Sequence, residues 1–136
     1  MKRVLMLASV ASMIDQFNMP NIALLQKLGY EVDVACNFIE GNTCSDARVA
    51  ELKQKLQDMH VHCYQIDFAR NIKHMGQNMR TLRQVEGLMK QNGYAFCHCH
   101  SPIGGVVARI AGHRTRTKVI ISKIALNNYR LYQGVN

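Results

Sequence analysis

The segment from residue 98 to residue 105 carries the densest set of side chains able to do chemistry. It reads His-Cys-His-Ser-Pro-Ile-Gly-Gly. His100 and Ser101 can exchange hydrogen bonds with a polar ligand. Gly104 and Gly105 open a predicted helix, whose free N–H groups can hold an anion such as a phosphate. In the alternative interpretation, the glycines only permit close packing of helix on sheet, and the histidines satisfy local carbonyl groups.

A second candidate segment, residues 9–18, follows the first apolar run and is predicted to be a polar loop containing Ser9, Ser12 and Asn18. Ligands of open parallel sheets bind where such loops follow the strands. The segment has neither a G-x-G-x-x-G fingerprint nor a P-loop pattern, so we expect no dinucleotide and no other cofactor. Asp15 and Asp67 each follow a strand and could act as bases, although capping or turn formation is the more common role. The sequence identifies no catalytic residue.

Cysteine and histidine crowd together at residues 60–63 and 97–100, which raises the question of a metal site. Successive side chains of a strand point to opposite faces, so Cys97 and Cys99 should lie on one face and His98 and His100 on the other. No Cys-x-x-Cys pair is present, and we expect no metal. The same alternation separates the Cys99 thiol from a histidine base. The odd number of cysteines indicates a reducing cytoplasm, with the thiols buried as small hydrophobic groups.

Alternating strands and helices must position these residues. Apolar runs predict five strands, and helical spacing predicts four intervening helices, the pattern of an α/β, Rossmann-like, doubly wound parallel sheet. The predicted strands cover residues 3–8, 31–36, 61–66, 94–99 and 118–122.

Capping residues and apolar stripes define the helices. Asn18 and Pro20 are predicted to start the first helix, and Ser45 or Asp46 the second. Gly29 and Gly93 are predicted to end the first and third helices. The buried stripe of the third helix is predicted to contain Met79, Leu82, Val85, Leu88 and Met89.

The length of 136 residues fits one domain, and the formal net charge of +8 favours an anionic partner. The basic segments, residues 70–74 and 113–118, could bind phosphates of a membrane or of nucleic acid. Few aromatic residues lie near them and no RNP motif is present, so nucleic acid is the less favoured partner. The apolar runs are far shorter than the ~20 residues needed to span a bilayer.

Taken in order along the chain, these residues resemble the start of family 4 glycosyltransferases, especially bacterial enzymes of capsular and exopolysaccharide biosynthesis. The resemblance runs from Lys2 to about Ile121 and includes residues 4–20, 28–37 and 66–70. It is strongest at residues 98–109, whose last four members are Val-Val-Ala-Arg.

The resemblance implies the GT-B fold, in which two Rossmann-like domains face a cleft. The N-terminal domain binds the acceptor and the C-terminal domain binds a nucleotide sugar. Similar enzymes transfer a sugar without a metal, often to a lipid-diphosphate-linked acceptor. We therefore expect a cytoplasmic protein in peripheral contact with the inner face of the plasma membrane. Residues 1–122 would form the acceptor-side domain, with acceptor-binding residues Ser9, Ser12, Asn18, His100, Ser101, Gly104 and Gly105.

Two departures from the family pattern bear on activity. Similar sequences continue after the fifth strand with Thr-Ala-His-Gly-Phe-His-Phe, whose first histidine faces the reaction centre, whereas residues 122–128 here read Ser-Lys-Ile-Ala-Leu-Asn-Asn. We also expect the C-terminal donor domain of the family to be absent from these 136 residues, and a nucleotide sugar would bind only through such a domain. We expect residues 123–136 to be an atypical tail of a truncated product, a frameshifted product or an isolated domain, and we expect the chain alone to be inactive.

The alternative function is a free-standing module that binds a phosphorylated glycan, a lipid or nucleic acid through its basic loops. Steeply salt-dependent binding to nucleic acid would favour this module, whereas binding to a lipid-linked sugar would favour the transferase domain. Apolar surface exposed where a second domain should dock would further predict self-association.

Overall fold

Five strands in the described part of the chain form one parallel sheet. The computed structural model describes residues 2–68, 75–100 and 102–122. Neighbouring strands follow the order β3-β2-β1-β4-β5, and each neighbouring pair is parallel. This confirms the predicted α/β, Rossmann-like sheet. The strands are β1 Arg3–Val10, β2 Glu31–Asn37, β3 His62–Gln65, β4 Phe96–His100 and β5 Val119–Ser122.

Helices cover both faces of this sheet. Apolar residues of α2 and α3 pack on one face with Val4 and Met6, and those of α4 and α5 pack on the other face with Leu5 and Leu7. Because β1 is buried on both faces, its sequence is a continuous apolar run rather than an alternating one. The helices are α1 Ala11–Met13, a π-helical turn Ile14–Asn18, α2 Met19–Lys27, α3 Asp46–Asp58, α4 Met75–Asn92 and α5 Pro102–Thr115.

The predicted polar loop at residues 9–18 is wrong, because the chain becomes helical at Ala11. Ala11 and Ile14 are both completely buried in the core, and a helix allows this burial. The polar residues beside them in sequence had suggested a loop. The prediction of Asn18 as a side-chain cap is wrong for the same reason. Helix already precedes Asn18, and its Nδ2 donates to the carbonyl of Met13, five residues earlier, at 3.0 Å.

Other helix boundaries agree with the sequence signals. The Ser45 hydroxyl accepts a hydrogen bond from the Arg48 N–H at 3.2 Å and caps α3. Gly29 and Gly93 follow α2 and α4 with φ of 95° and 57°, backbone conformations that glycine adopts at little cost. The prediction that Met79 belongs to the buried stripe of α4 is wrong. Half of its surface is exposed, and the apolar cluster beneath α4 begins one turn later, at Leu82.

Some predicted features lie outside the described residues. These are the basic segment at residues 70–74, the candidate ligand-binding residue Ser101 and the tail at residues 123–136.

Candidate functional site

The candidate site lies at the carboxyl edge of the sheet, between β1 and β4. From β1 the chain builds outward to β2 and β3, then returns to place β4 on the other side of β1. This reversal makes the β1/β4 boundary the topological switch point, where ligands of doubly wound sheets bind. Ser9 lies at the end of β1 and Ser12 just after it, His100 ends β4, and Gly104 lies in the first turn of α5. The topology therefore brings the two predicted segments to one edge.

Ser12 ties the start of the first helical segment to the loop after β2. It is almost fully buried, its backbone N–H donates to Asn42 Oδ1 at 2.9 Å, and its hydroxyl accepts from the Thr43 N–H at 3.2 Å. Ser9 is half-buried, with its Oγ 3.8 Å from Met13 Sδ. The Ser12 hydroxyl therefore has a structural role, because it joins the first helical segment to the loop after β2. The Ser9 hydroxyl makes only the contact with Met13 among the described residues.

Two buried asparagines of the next helical turns carry polar atoms that the described residues leave unpaired. Asn18 Oδ1 has no hydrogen-bond partner there, and neither amide atom of Asn21 has one, although Asn18 is 0% exposed and Asn21 is 1% exposed. Buried polar atoms are usually paired, and π-helical turns such as Ile14–Asn18 recur at functional sites. The sequence reasoning missed Asn21. Its signal was the i, i+3 repeat of asparagine beside the apolar positions of the helix.

His98 and His100 form a buried imidazole pair on the face of the sheet that also carries Met6, the register partner of His98. Their ring centroids are 4.5 Å apart, and both side chains are completely buried. Burial, with a smaller contribution from His100, lowers the pKa of His98 to about 3, and burial lowers the pKa of His100 to about 4. Both rings are therefore neutral near pH 7, each with one N–H donor and one acceptor nitrogen.

Cys97 and Cys99 lie on the opposite face of β4, as the alternation of a strand predicts. Burial raises the pKa of the Cys99 thiol to about 12. The pKa of the Cys97 thiol is also raised well above its usual value by burial. Neither thiol has the thiolate character of a nucleophile, and both pack as small apolar groups.

The glycine pair after β4 differs from Gly112, later in the same helix. A methyl group on Gly105 would meet Ile121 at 3.7 Å, an ordinary contact. A methyl group on Gly112 would lie 2.5 Å from Val119 Cγ2 and 2.7 Å from the Thr117 carbonyl oxygen. Close packing on the sheet therefore explains Gly112 but does not require a glycine at position 105, which leaves the approach of a ligand as a reason for it.

Both candidate acids have structural partners. Asp15 binds the Arg48 guanidinium through two contacts of 3.0 Å and so connects the π-helical turn to α3. Asp67 accepts hydrogen bonds from Gln65 at 3.2 Å and Gln84 at 2.9 Å. Because both carboxylates are engaged in these contacts, Asp15 and Asp67 stabilise the fold around the site, and neither is the free carboxylate that a general base requires.

A second polar cluster, not foreseen from the sequence, lies at the opposite edge of the sheet. Asp33 is 1% exposed and accepts a 2.7 Å hydrogen bond from the Tyr94 hydroxyl and a 3.2 Å contact from the Arg3 guanidinium. Burial and the carboxylate raise the pKa of Tyr94. The available signal was an aspartate inside the apolar strand Glu31–Asn37. The cluster lies at the amino ends of β1 and β2, away from the candidate site, and orders that end of the sheet.

Two further observations concern metals and membranes. Within residues 2–68, 75–100 and 102–122, no group of three His, Cys, Asp or Glu side chains is arranged to hold a metal ion. None of the helices in that part of the chain combines the length and apolar character needed to cross a bilayer.

A doubly wound parallel sheet with polar groups at its switch point defines a Rossmann-like domain. The model of the family described as glycosyl transferase 4-like matches residues 3–135, nearly the whole chain, and the chain belongs to that family.

Individual proteins agree with this assignment. "Putative glycosyltransferase EpsD" of Bacillus subtilis (strain 168) is 30% identical over 122 residues, which cover 88% of this chain and 28% of EpsD. The crystal structure of Acinetobacter baumannii MurG superimposes with a TM-score of 0.65 at 18% identity, over 98% of this chain and 38% of MurG. A glycosyltransferase from Rickettsia africae superimposes with a TM-score of 0.64 at 14% identity, over 96% of this chain and 33% of the Rickettsia protein. The chain thus spans about a third of the length of these proteins.

The fold alone does not fix the chemistry. A deacetylase of teicoplanin biosynthesis superimposes as well as the glycosyltransferases do, with a TM-score of 0.66 at 11% identity. Function on such folds depends on the site, so the family match and the residues at the switch point carry the functional argument.

Proposed function

We propose that this chain is the acceptor-binding domain of a glycosyltransferase that moves a sugar from a nucleotide sugar to a lipid-diphosphate-linked polysaccharide precursor. The family match carries the proposal, and the collection of polar groups at the β1/β4 edge supports it. The protein would work in the cytoplasm, at the inner face of the plasma membrane. The name EpsD is the reason for proposing exopolysaccharide assembly.

In this proposal the two segments at the switch point divide the recognition of the acceptor. Gly104 and Gly105 would let the diphosphate approach the first turn of α5 closely, because glycine leaves room beside the backbone and a helix N-terminus attracts anions. His100, which is completely buried and neutral, would lie beneath the bound acceptor without introducing a charge. Asn18, at the end of the π-helical turn, and Asn21, in the first turn of α2, would support the same edge. Ser9 and Ser101 complete the proposed set.

The chain alone would bind an acceptor without transferring sugar to it. Transfer is accelerated by interactions that hold donor and acceptor together in the transition state, and one side of a cleft cannot hold both. A second α/β domain would supply the nucleotide sugar.

An NMR titration tests the acceptor site directly. A soluble short-chain prenyl-diphosphate sugar is added to the isotopically labelled chain. We expect shifts of the backbone signals of Ser9, His100 and Gly104, and none at Tyr30 and His60, beyond the opposite ends of the strands. Shifts confined to residues outside the β1/β4 edge would contradict the proposed site.

A matched pair of glycine variants sharpens the test. Gly105→Ala adds a methyl group with only ordinary contacts, so the fold should persist while the diphosphate approaches the backbone less closely. Gly87→Ala adds a methyl group to α4, where no atom of the described residues lies within 4 Å. We expect Gly105→Ala to weaken acceptor binding about tenfold, the loss of one good hydrogen bond, and Gly87→Ala to leave it unchanged. Equal affinities of both variants and the original chain would refute the role of the turn.

A further inference from the structure

The positive charge of the chain is concentrated in one stretch of sequence. Residues 1–68 contain six Lys and Arg but eight Asp and Glu. Residues 75–122 contain one acidic residue, Glu86, and seven basic ones: Arg80, Arg83, Lys90, Arg109, Arg114, Arg116 and Lys118. The first stretch supplies β1 to β3, α2 and α3, whereas the second supplies α4 and α5, which pack together on the opposite face of the sheet. The fold therefore converts a bias along the chain into a charged surface on one side.

We call the solvent side of α4 and α5, with the turn that follows α5, the basic face. All seven basic residues are exposed there. Glu86 is largely covered and forms a 2.7 Å ion pair with Arg114. Six positive charges remain without a described acidic counterpart on this face.

Exposed apolar side chains interrupt these charges. Val106 is 54% exposed and Ile110 is 41% exposed, and the exposed positions Val106, Arg109, Ile110 and His113 follow the i, i+3, i+4, i+7 spacing of one helical stripe. A third exposed apolar side chain, Met79, lies on the neighbouring helix α4. Apolar and basic groups therefore share a single surface.

A shallow depression lies at the end of this stripe, where α5 turns into β5. Its volume is about 590 Å³, and Arg109, Arg116 and Lys118 line it. Within the described part of the chain, none of these three side chains forms an ion pair with a carboxylate. The depression is open enough to admit a phosphate group, and its three charges would attract one.

We propose that the basic face docks on the surface of an anionic phospholipid bilayer. Phosphate headgroups would lie against the cationic side chains while Val106, Ile110 and Met79 enter the interfacial layer, the arrangement of a helix that lies in a membrane surface. Val106 directly follows Gly105, so the docked face and the proposed acceptor turn share one helix. The inference rests on the proposed function in that a lipid-linked acceptor must be collected from such a bilayer.

The composition of the face argues against two other partners. A packed protein domain would have to bury several unpaired charges, which is costly. A single-stranded nucleic acid would be expected to stack on exposed aromatic groups, but Phe68 and Tyr94 are buried.

Co-sedimentation of the chain with vesicles tests the proposal. We expect binding to mixed phosphatidylglycerol and phosphatidylcholine vesicles, weakened by salt, and little binding to phosphatidylcholine alone. Each removed charge should lower the partition coefficient about fivefold, so Arg109→Gln with Lys118→Gln should lower it about 25-fold. Lys27→Gln with Lys55→Gln removes the same charge from exposed positions on the other side of the sheet and should have little effect. Val106→Ser with Ile110→Ser should weaken binding with the charge intact.

The controls give clear refutations. If both double variants that remove two charges lost vesicle binding equally, binding would depend on net charge alone, and the assignment of the basic face would be overturned. Failure to bind anionic vesicles, or binding to RNA in its place, would overturn the membrane partner. The NMR titration with soluble acceptor, repeated on Arg109→Gln with Lys118→Gln, separates this inference from the proposed function. That variant should keep the acceptor shifts while losing most of its vesicle binding. In the unaltered chain, acceptor shifts without vesicle binding overturn only the docking surface, and vesicle binding without acceptor shifts overturns only the acceptor site.

Discussion

Lowering the pH from about 7 to about 5 is expected to destabilise the fold through the buried pair His98 and His100. Burial lowers their pKa values to about 3 and about 4. Histidine in the unfolded chain titrates near ~6.5. Between these values the unfolded state binds protons that the folded state does not, so unfolding becomes easier as the pH falls. The stabilising contribution is complete above ~6.5 and is lost as the pH falls toward the folded pKa values.

The size of the effect follows from these pKa values. A pKa difference of one unit corresponds to about 1.36 kcal/mol, and pH 5 lies about 1.5 units below the unfolded pKa. Each histidine therefore accounts for about 2 kcal/mol at pH 5, and the pair for about 4 kcal/mol. Domains of this size have unfolding free energies of about 5–15 kcal/mol, so the loss would be a large part of the total.

Urea unfolding followed by circular dichroism at several pH values measures the loss. The double variant His98→Gln with His100→Gln should reduce the difference between neutral and acidic pH to about 1 kcal/mol. The variant His113→Gln, altered at an exposed position of α5, should keep it. NMR titration of the imidazole signals provides a second readout that needs no variant. A wild-type loss below about 1 kcal/mol, or an imidazole of the pair titrating near ~6.5, would refute the reasoning.

Three further predictions concern stability and are measured by urea unfolding. Gly112→Ala should cost about 1–3 kcal/mol because its methyl group would overlap Val119, whereas Gly87→Ala should stabilise α4 by up to about 1 kcal/mol; equal losses would contradict the packing argument. Tyr94→Phe should cost about 1–3 kcal/mol, since Asp33 loses a buried donor, and an unchanged midpoint would mean that the carboxylate finds another partner. Ser45→Ala should cost about 1 kcal/mol through the lost cap of α3, and a neutral result would show that this cap is dispensable.

The sheet could be predicted from the sequence because each strand carries its own local signal. Runs such as Val4 to Ala8 are apolar at successive positions, which fits a strand buried on both faces, and helical spacing fills the intervals. The alternation of Cys97 and Cys99 against His98 and His100 also follows from strand geometry alone.

The path between β1 and α2 could not be predicted locally. Ser9, Ser12 and Asp15 give residues 9–18 the composition of a loop, yet burial of Ala11 and Ile14 makes most of the segment helical. Ser12 bonds to the loop after β2, some thirty residues away in sequence. Interactions over that distance leave no pattern within the segment, so the role of Ser12 emerges only in the folded chain.

Periodicity and motifs are local properties, so the five strands, most of the helices and the resemblance to the family could be recognised in the sequence. The same signals lead to the prediction that a ligand binds at the carboxyl edge of the sheet. Which side chains are available at that edge depends on the folded chain: Arg48 engages Asp15, and burial leaves both histidines of β4 neutral. The tertiary structure also gathered the positive charge of α4 and α5 on one surface. Burial, pKa and surface charge depend on neighbours that are distant in sequence, and the crossover from β3 to β4 is what brings those neighbours together.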